Sequence, residues 1–246
     1  MSDRELIVPG TATRRPQQHG IIAELKRYVL ENSSLVVHDL KSNQDIAREG
    51  DLLLHCPLLL EGFACCYKIL ECGERQIFAL HLANDLCNLS SLLLERPSHS
   101  IGTLTPARVA FVPHATILDW TRHYPDRVLA LWRTTLIEAA NSQEWVVNVG
   151  RRTAYQRTAH LLCEFLLRMR WAGRAQGLAC RMPFTQAELG DTLGLTAVHV
   201  NRILQSLRNE KLIDLRSGTL IVHDWPKLTF VAGFNPAYLH YDEAVA

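Results

Sequence analysis

The segment Phe184–Leu207 constrains the fold of this chain more than any other part of its sequence. Thr185 precedes Glu188 by three residues, which is the spacing of a capping box that opens a short helix. Gly194 stands where that helix has to end, because glycine readily adopts the left-handed turn that follows a helix. Thr196 then caps a second helix. The segment therefore predicts two short helices joined by a tight turn.

Small and apolar residues in the same segment predict how the two helices meet. Gly190 provides a small residue where the helices cross closely, and five apolar residues supply contacts that hold the pair at a wide angle. These are Leu189, Leu193, Leu195, Val200 and Ile203. The combination predicts a helix-turn-helix, with an ordinary helical hairpin as the alternative.

The second helix carries residue types that read a DNA major groove. The predicted base-reading residues are Ala197, Val198, His199, Asn201 and Arg202. Arginine can bond both acceptors of guanine, asparagine can pair with adenine, and alanine or valine can touch a thymine methyl group. Arg202 is therefore the strongest candidate of the five. The predicted phosphate contacts, which position a protein without specifying sequence, are Thr185, Thr196, Arg208, Lys211 and Arg216.

The charge of the chain is unevenly distributed. The whole sequence has 26 Lys and Arg against 25 Asp and Glu, which gives a net charge of +1. Between Arg151 and Asp224, however, 11 Lys and Arg stand against six Asp and Glu, so the basic footprint is C-terminal. The same region continues after the helix pair with Leu212–Leu215, Arg216–Thr219 and Leu220–Val222, which read as strand, turn and strand. This pattern predicts a wing beside the helix-turn-helix.

The N-terminal half of the chain has the pattern of an all-β domain. Residues 1–20 lack periodicity and predict a mobile arm, and residues 21–124 predict the domain itself. A short amphipathic helix at about 21–30 opens it. Short runs of β-forming residues then alternate with glycine-containing turns between Leu35 and Val112. Many short strands at regular spacing predict a sandwich or barrel.

A long helix follows this domain. Apolar residues recur at threes and fours over residues 125–149, so the helix would span roughly 36 Å and extend beyond one small barrel. We therefore predict a parallel helix–helix dimer, with a helix that packs only on its own barrel as the alternative. The predicted dimer contacts are Leu129, Trp132, Leu136, Ile137 and Ala140. Gly150 is a candidate hinge before the C-terminal domain, residues 150–246, which opens with a helix at Ala154–Trp171.

In the order of these parts, and above all from Thr185 to Ile213, the chain resembles the Crp/Fnr family of bacterial transcription regulators. Arg48–Asp51 and Leu58–Ala64 resemble the early strands of that family's β-roll. The resemblance implies an α+β chain with an N-terminal β-roll (a jelly roll like that of cyclic-nucleotide-binding domains), a long dimerisation helix and a C-terminal winged helix-turn-helix. It also implies a homodimer that binds double-stranded DNA at a near-palindromic operator and contacts RNA polymerase.

The residues that hold cyclic AMP in some family members are not matched here. Those members use a Gly-Glu pair and a later Arg-Ser pair for the ribose and the cyclic phosphate. The corresponding positions in this chain are Asn88, Leu89, Ser90, His99 and Ser100. Leu89 replaces the glutamate and His99 the arginine, so the ribose acceptor and the bidentate phosphate donor are both missing. We expect a degenerate effector pocket, no cyclic AMP and no other cofactor, and a signal that the sequence does not identify.

Cysteines and histidines offer other sensing chemistries. The seven cysteines lack the paired spacing of a disulfide framework, which favours a reducing cytoplasm. The first is Cys56, so the N-terminal iron–sulfur cluster of some family members is not expected. Cys65, Cys66 and Cys72 could act as thiol sensors, although free cysteines are more often buried packing residues. Eleven histidines occur without a metal-binding motif, so we predict no metal site.

Other classes of protein find little support in the sequence. It contains no GxSxG, P-loop, GxGxxG or metalloprotease motif, which disfavours an enzyme. It shows neither a secretory leader nor the roughly 18 to 20 consecutive apolar residues of a membrane span. A DNA-binding regulator is therefore the prediction, and a ligand-, thiol- or haem-based sensor whose output is protein interaction is the alternative. Activation or repression, the operator and the regulated genes stay open.

Overall fold

The computed structural model describes residues 24–29, 31 and 35–241. The predicted mobile arm, residues 1–20, lies outside this range. Residues 24–29 form the helix α1, inside the helix predicted at 21–30. Its Leu25 and Val29 are fully buried in a core that they share with strands of the N-terminal domain, so α1 belongs to that domain.

The N-terminal domain is a β-roll, as predicted. Its seven strands are β1 (Val36–Leu40), β2 (Asp45–Ala47), β3 (His55–Glu61), β4 (Ala64–Ile69), β5 (Arg75–His81), β6 (Ser100–Thr103) and β7 (Ala107–Pro113). β1, β7 and β3 form one sheet in this order, and β2, β6, β4 and β5 form the other. All pairs are antiparallel, and residues of both sheets meet in one core. Gly62 joins β3 to β4 with a φ of +90° and abuts the backbone of Pro106, so this turn requires glycine.

Four further helices precede the C-terminal sheet: one lies between β5 and β6 of the roll, and three follow β7. They are α2 (Ser91–Leu94), α3 (His114–His123), α4 (Asp126–Arg151) and α5 (Ala154–Trp171). The predicted long helix is α4, but it runs through Gly150, so the interruption lies at Arg152 and Thr153 and the hinge prediction was wrong. Thr153 and Gln156 form a capping box that starts α5. None of the helices in the described part of the chain combines the length and apolar character that a bilayer crossing needs.

The C-terminal domain is a winged helix-turn-helix, as predicted. It contains α6 (Gln186–Leu193), α7 (Ala197–Asn209) and α8 (Trp225–Ala232), the strands β8 (Ala175–Gln176), β9 (Ala179–Arg181), β10 (Ile213–Arg216) and β11 (Thr219–Val222), and a 3-10 turn at Pro236–Leu239. The sheet order is β10, β11, β9, β8. The strands β8 and β9 were not predicted, because each has only two or three residues. The predicted wing, β10 and β11, is therefore the edge of a larger sheet.

The roll packs directly on the C-terminal domain. Phe63 of the roll meets Phe165 and Phe184 at ring-centroid distances of 5.9 and 5.4 Å, in a core that is continuous between the two domains. At the edge of this contact, Arg75 Nε donates to Asp191 Oδ2 over 2.7 Å, which ties β5 to α6. The position of α6 and α7 is thus fixed by the roll as well as by α4 and α5.

Candidate nucleic-acid interface and effector cavity

The helix-turn-helix begins with the predicted capping box. Thr185 Oγ1 accepts the backbone N–H of Glu188 over 3.1 Å, and a Glu188 carboxylate oxygen accepts the backbone N–H of Thr185 over 2.7 Å. Gly194 ends α6 in the left-handed conformation with a φ of 63°, and Thr196 Oγ1 accepts the backbone N–H of His199 over 3.2 Å. The start of α6, its end and the start of α7 are therefore capped by the residues predicted from the sequence: Thr185, Gly194 and Thr196.

Gly190 sets how closely α6 approaches the turn. A Cβ at this position would collide with the backbone carbonyl oxygen of Leu195. The Gly190 carbonyl oxygen in turn accepts the N–H groups of Gly194 and Leu195. Only glycine allows this approach, which fixes the direction in which α7 leaves the turn.

The outer face of α7 is exposed. Val198, His199 and Arg202 are exposed, and the side chain of Arg202 has no hydrogen bond or ion pair among the described residues. Ala197 and Asn201 are half-buried, and Asn201 Nδ2 donates to Gln186 Oε1 over 3.0 Å, which links α7 to α6. Val198, His199 and Arg202 therefore present exposed side chains without a hydrogen bond among the described residues, whereas Ala197 is half-buried and the amide of Asn201 is already bonded.

The exposed face of α7 extends beyond Arg202, the last of the predicted base-reading residues. Gln205, Ser206 and Asn209 are exposed. Val198, Arg202, Gln205 and Asn209 recur at helical spacing, so continuing the periodicity from Arg202 would have found this extension.

The predicted phosphate contacts fall into two groups. Arg208, Lys211 and Arg216 line one groove of about 340 Å³ between α7 and the wing, together with Gln205. Lys211 and Arg216 are exposed, but Arg208 is half-buried and its Nη2 donates to the Leu215 carbonyl over 3.1 Å, so its guanidinium also holds the wing in place.

The other two predicted phosphate contacts, Thr185 and Thr196, lie at the starts of α6 and α7. Both hydroxyl groups accept helix N–H groups as caps. The structure therefore gives each of them a structural role at the helix terminus that would face DNA.

An apolar stripe runs along the outside of α4. Leu129, Trp132, Leu136 and Val146 are 64, 60, 56 and 69% exposed and recur at the spacing of a helix–helix seam. Ala140 is half-buried. Ile137, which was predicted with them, is only 5% exposed because it faces the interior of its own chain, so its assignment to the dimer contacts is corrected. Val146 was missed, although it continues the period of the first three.

The predicted effector pocket is partly assembled. Asn88, Ser90 and His99 line one cavity of about 230 Å³ between the roll, α4 and α5. Leu89 is instead buried in the core of the roll, and Ser100 accepts the Glu49 N–H over 3.1 Å without lining the cavity, so these two predictions are corrected.

Distant segments supply the remaining walls of this cavity. They include Thr134, Glu138 and Asn141 of α4, Glu164 and Arg168 of α5, and Tyr241. No local pattern in the sequence pointed to them, because they reach the cavity only through the packing of α4 and α5 on the roll.

The electrostatics of the cavity are dominated by carboxylates. Arg168 Nη2 donates to the Leu80 carbonyl over 2.8 Å and to Asp85 over 3.3 Å. Glu164 accepts the Tyr238 hydroxyl over 2.7 Å, and burial raises its pKa. Burial, assisted by the nearby Asp85 charge, raises the pKa of Glu138 to about 7.

The cysteines differ in their exposure to solvent. Six of the seven cysteines are buried, and only Cys72 is exposed. Burial raises the pKa of Cys56 to about 11 and those of Cys65 and Cys180 to about 12, so these groups stay as unreactive thiols near neutral pH. Within residues 24–29, 31 and 35–241, no group of three or more His, Cys, Asp or Glu side chains is arranged to hold a metal ion.

Comparisons with known proteins match both halves of the chain. The cyclic nucleotide-binding domain family matches residues 37–124, and the Crp-like helix-turn-helix domain family matches residues 156–230. The fumarate and nitrate reduction regulatory protein of Vibrio cholerae serotype O1 is 23% identical over 196 residues, which cover 80% of this chain and 78% of that protein. The nitrogen fixation regulation protein FixK of Rhizobium meliloti is 26% identical over 186 residues, which cover 76% and 82%.

Solved structures share the fold. The structure of FixK2 from Bradyrhizobium japonicum superposes with a TM-score of 0.73 at 22% identity, covering 82% of this chain and 99% of that one. The two chains therefore share a fold. Together with the two family matches and the geometry of α6 and α7, this makes the chain a member of the Crp/Fnr family and a DNA-binding transcription regulator.

Proposed function

We propose that the protein acts as a homodimer that binds a near-palindromic operator with one α7 in each of two successive major grooves, about 34 to 36 Å apart. The observation that carries this proposal is the exposed outer face of α7. Arg202 reads a base on this face, with Val198, His199 and Ala197 beside it and Gln205 further along the helix. Lys211 and Arg216 contact phosphates at the groove between α7 and the wing.

The dimer forms through the outside of α4. Its 26 residues make a rod of about 39 Å, and large apolar side chains that are more than half exposed follow one line along it. Such a line is costly in water and fits a second copy of itself in a parallel coiled coil. Because α4 leads into the C-terminal domain, this pairing sets the distance between the two α7 helices.

A signal enters at the cavity that Asn88, Ser90 and His99 line. Its walls come from the roll, from α4 and from α5, so a change in the cavity alters how α4 sits against the C-terminal domain. In this proposal the further partner is RNA polymerase and the compartment is the cytoplasm. The family membership and the names of the relatives as regulators support both points.

Selection of duplexes from a random pool by the purified protein tests the function. We expect a recovered palindrome with half-sites one helical turn apart, and binding that weakens as salt rises. Weak binding with no sequence preference would contradict the proposal and favour a sensor that acts through protein contacts.

Charge placed on the stripe tests the dimer. The double variant Trp132→Glu with Leu136→Glu should sediment as a monomer and lose operator binding by more than about 100-fold, because each half-site alone makes half of the contacts. Leu93→Glu is the matched control, since Leu93 is 84% exposed but lies on α2. If the double variant stayed dimeric, the dimer interface would lie elsewhere than on α4.

A further inference from the structure

The cavity at the junction of the two domains has unsatisfied polar groups. Asn88 is only 6% exposed, and its Nδ2 has no hydrogen-bond partner among the described residues. Asn141 Oδ1 is likewise buried without a partner in that part of the chain. Both residues line the cavity. Buried amide groups are nearly always hydrogen-bonded in folded proteins, because an unpaired one forfeits its bonds to water. Two such groups around one cavity indicate that something else completes them.

The carboxylate of Glu138 faces the same cavity without a partner. Among the described residues it has neither a hydrogen bond nor an ion pair, and its surroundings hold two further carboxylates, those of Asp85 and Glu164. Burial, together with the nearby Asp85 charge, raises the pKa of Glu138, because the negative charge of this carboxylate is poorly solvated there. A cation beside Glu138 would remove that cost.

The cavity has little positive charge, and what it has is already bonded to other groups of the protein. Arg168 is the one Lys or Arg side chain that lines it in the described part of the chain, and it is bonded to Leu80 and Asp85. Burial lowers the pKa of His81 to about 4 and lowers that of His99, so neither histidine carries a charge near neutral pH. An anionic ligand would therefore meet unpaired carboxylate and no free cation.

We infer that this cavity binds a small organic cation. Its ammonium or amidinium group pairs with Glu138 and donates to Asn141 Oδ1, an acceptor such as the hydroxyl group of tyramine accepts from Asn88 Nδ2, and its apolar part lies against Phe78 and Ile137. Such a molecule would join the roll to α4. The inference rests on the proposed function for its regulatory meaning, because the cavity is where that function receives its signal, but binding itself is measurable without DNA.

Matched amines and carboxylates test the sign of the charge. Tyramine, phenethylamine and agmatine would be titrated calorimetrically into the full chain, beside 3-(4-hydroxyphenyl)propionate and 3-phenylpropionate, which keep the shape of the first two and reverse the charge. We expect at least one amine to bind with a Kd below about 1 mM and both carboxylates to bind at least 10-fold more weakly. No binding by any of the three amines, or equal binding by a carboxylate, would overturn the inference.

Variants locate the site. Glu138→Gln should weaken the bound amine at least 10-fold, and Asn141→Ala should weaken it several-fold. The control Glu71→Gln, an exposed acid on the β4–β5 turn, should leave binding unchanged. Equal affinity of wild type and Glu138→Gln would show that the amine binds elsewhere and would reject the site.

Failure of this inference can be told apart from failure of the proposed function. Protein from the same preparation would be used for the duplex selection. A recovered palindrome without amine binding rejects the cation site and leaves the operator proposal standing. Amine binding that depends on Glu138, without any preferred duplex, supports the cavity assignment and rejects the operator proposal.

Discussion

The helix-turn-helix and the effector cavity treat their polar groups in opposite ways. In the helix-turn-helix, Thr185, Glu188 and Thr196 each close a helix terminus through their own hydrogen bonds. In the cavity, by contrast, Asn88 Nδ2 and Asn141 Oδ1 have no hydrogen-bond partner within the part of the chain that the structure describes. The helix termini of the helix-turn-helix are thus paired within the fold and hold its shape, whereas the cavity keeps buried polar atoms that no described residue pairs. One fold can thus keep its DNA-binding unit while the chemistry of its pocket changes.

The largest expected effect comes from filling the closest approach in the helix-turn-helix. Gly190→Val should lower the free energy of unfolding by about 3 kcal/mol, because its side chain would collide with the backbone of Leu195 rather than with a movable side chain. Urea unfolding measures this. The control Gly150→Ala adds a methyl group where nothing lies within 4 Å, and should change stability by less than about 1 kcal/mol. Equal effects at both glycines would show that the close approach is unimportant.

Base reading by α7 should account for the next largest effect. Arg202→Ala should lose about 1 to 3 kcal/mol of operator binding and relax the preference at one base pair, because a bidentate contact to guanine would be removed. Arg216→Ala is the comparison. Loss of a phosphate contact should weaken binding to all sequences alike and reduce the salt slope by about one. Binding curves on the selected duplex and its single-base variants, at two salt concentrations, distinguish a base contact from a phosphate contact. If Arg202→Ala weakened binding to all duplexes equally, Arg202 would contact a phosphate instead of a base.

The raised pKa of Glu138 in the cavity predicts that the stability of the protein depends on pH. The pKa of Glu138 is raised from 4.5 to about 7, so the folded protein binds this proton more tightly than the unfolded chain does. Stability should therefore fall as pH rises from about 4.5 through 7, and Glu138→Gln should be more stable than wild type at pH 8 by about 2 kcal/mol and nearly equal to it near pH 4.5. Urea unfolding at the two pH values and fixed protein concentration measures both differences. A variant that is less stable at pH 8 would mean that the carboxylate is paired.

The smallest effect concerns a single cap. Thr196→Ala should cost about 1 kcal/mol, because the N–H of His199 loses its acceptor at the start of α7. Thr196→Ser keeps a hydroxyl group and should restore most of the loss. Thermal unfolding without DNA measures this apart from any phosphate contact. A serine variant as unstable as the alanine variant would attribute the effect to the threonine methyl group.

Prediction from sequence succeeded where structure depends on neighbours along the chain. The capping box of Thr185, the left-handed turn at Gly194 and the cap at Thr196 are all present, since each depends on residues only a few positions apart. Helix α5 also has its predicted bounds, Ala154–Trp171. The hinge at Gly150 failed, because glycine lowers helix propensity by only about 1 kcal/mol and the capping box at Thr153 decides where the next helix begins.

Failures cluster where a residue's role depends on which face of an element is covered. Ile137 and Leu136 are adjacent apolar residues of α4, yet one faces the interior of its own chain and the other is exposed. Periodicity gave both the same prediction, since the apolar positions of α4 cover more than one side of the helix. Likewise, Leu89 is in the core of the roll although its neighbours in sequence, Asn88 and Ser90, line the cavity.

Local patterns were sufficient to predict the order of the parts and the helix-turn-helix, because capping, turn conformation and hydrophobic period depend on residues close together in the chain, and the resemblance to the family rests on these parts. The chemistry of the cavity depends instead on how distant segments pack. Glu138, Arg168 and Asp85 lie far apart in the chain and meet where two helices pack on the roll. Whether a carboxylate there is paired depends on distances of a few ångströms between those segments, and no local pattern encodes such distances.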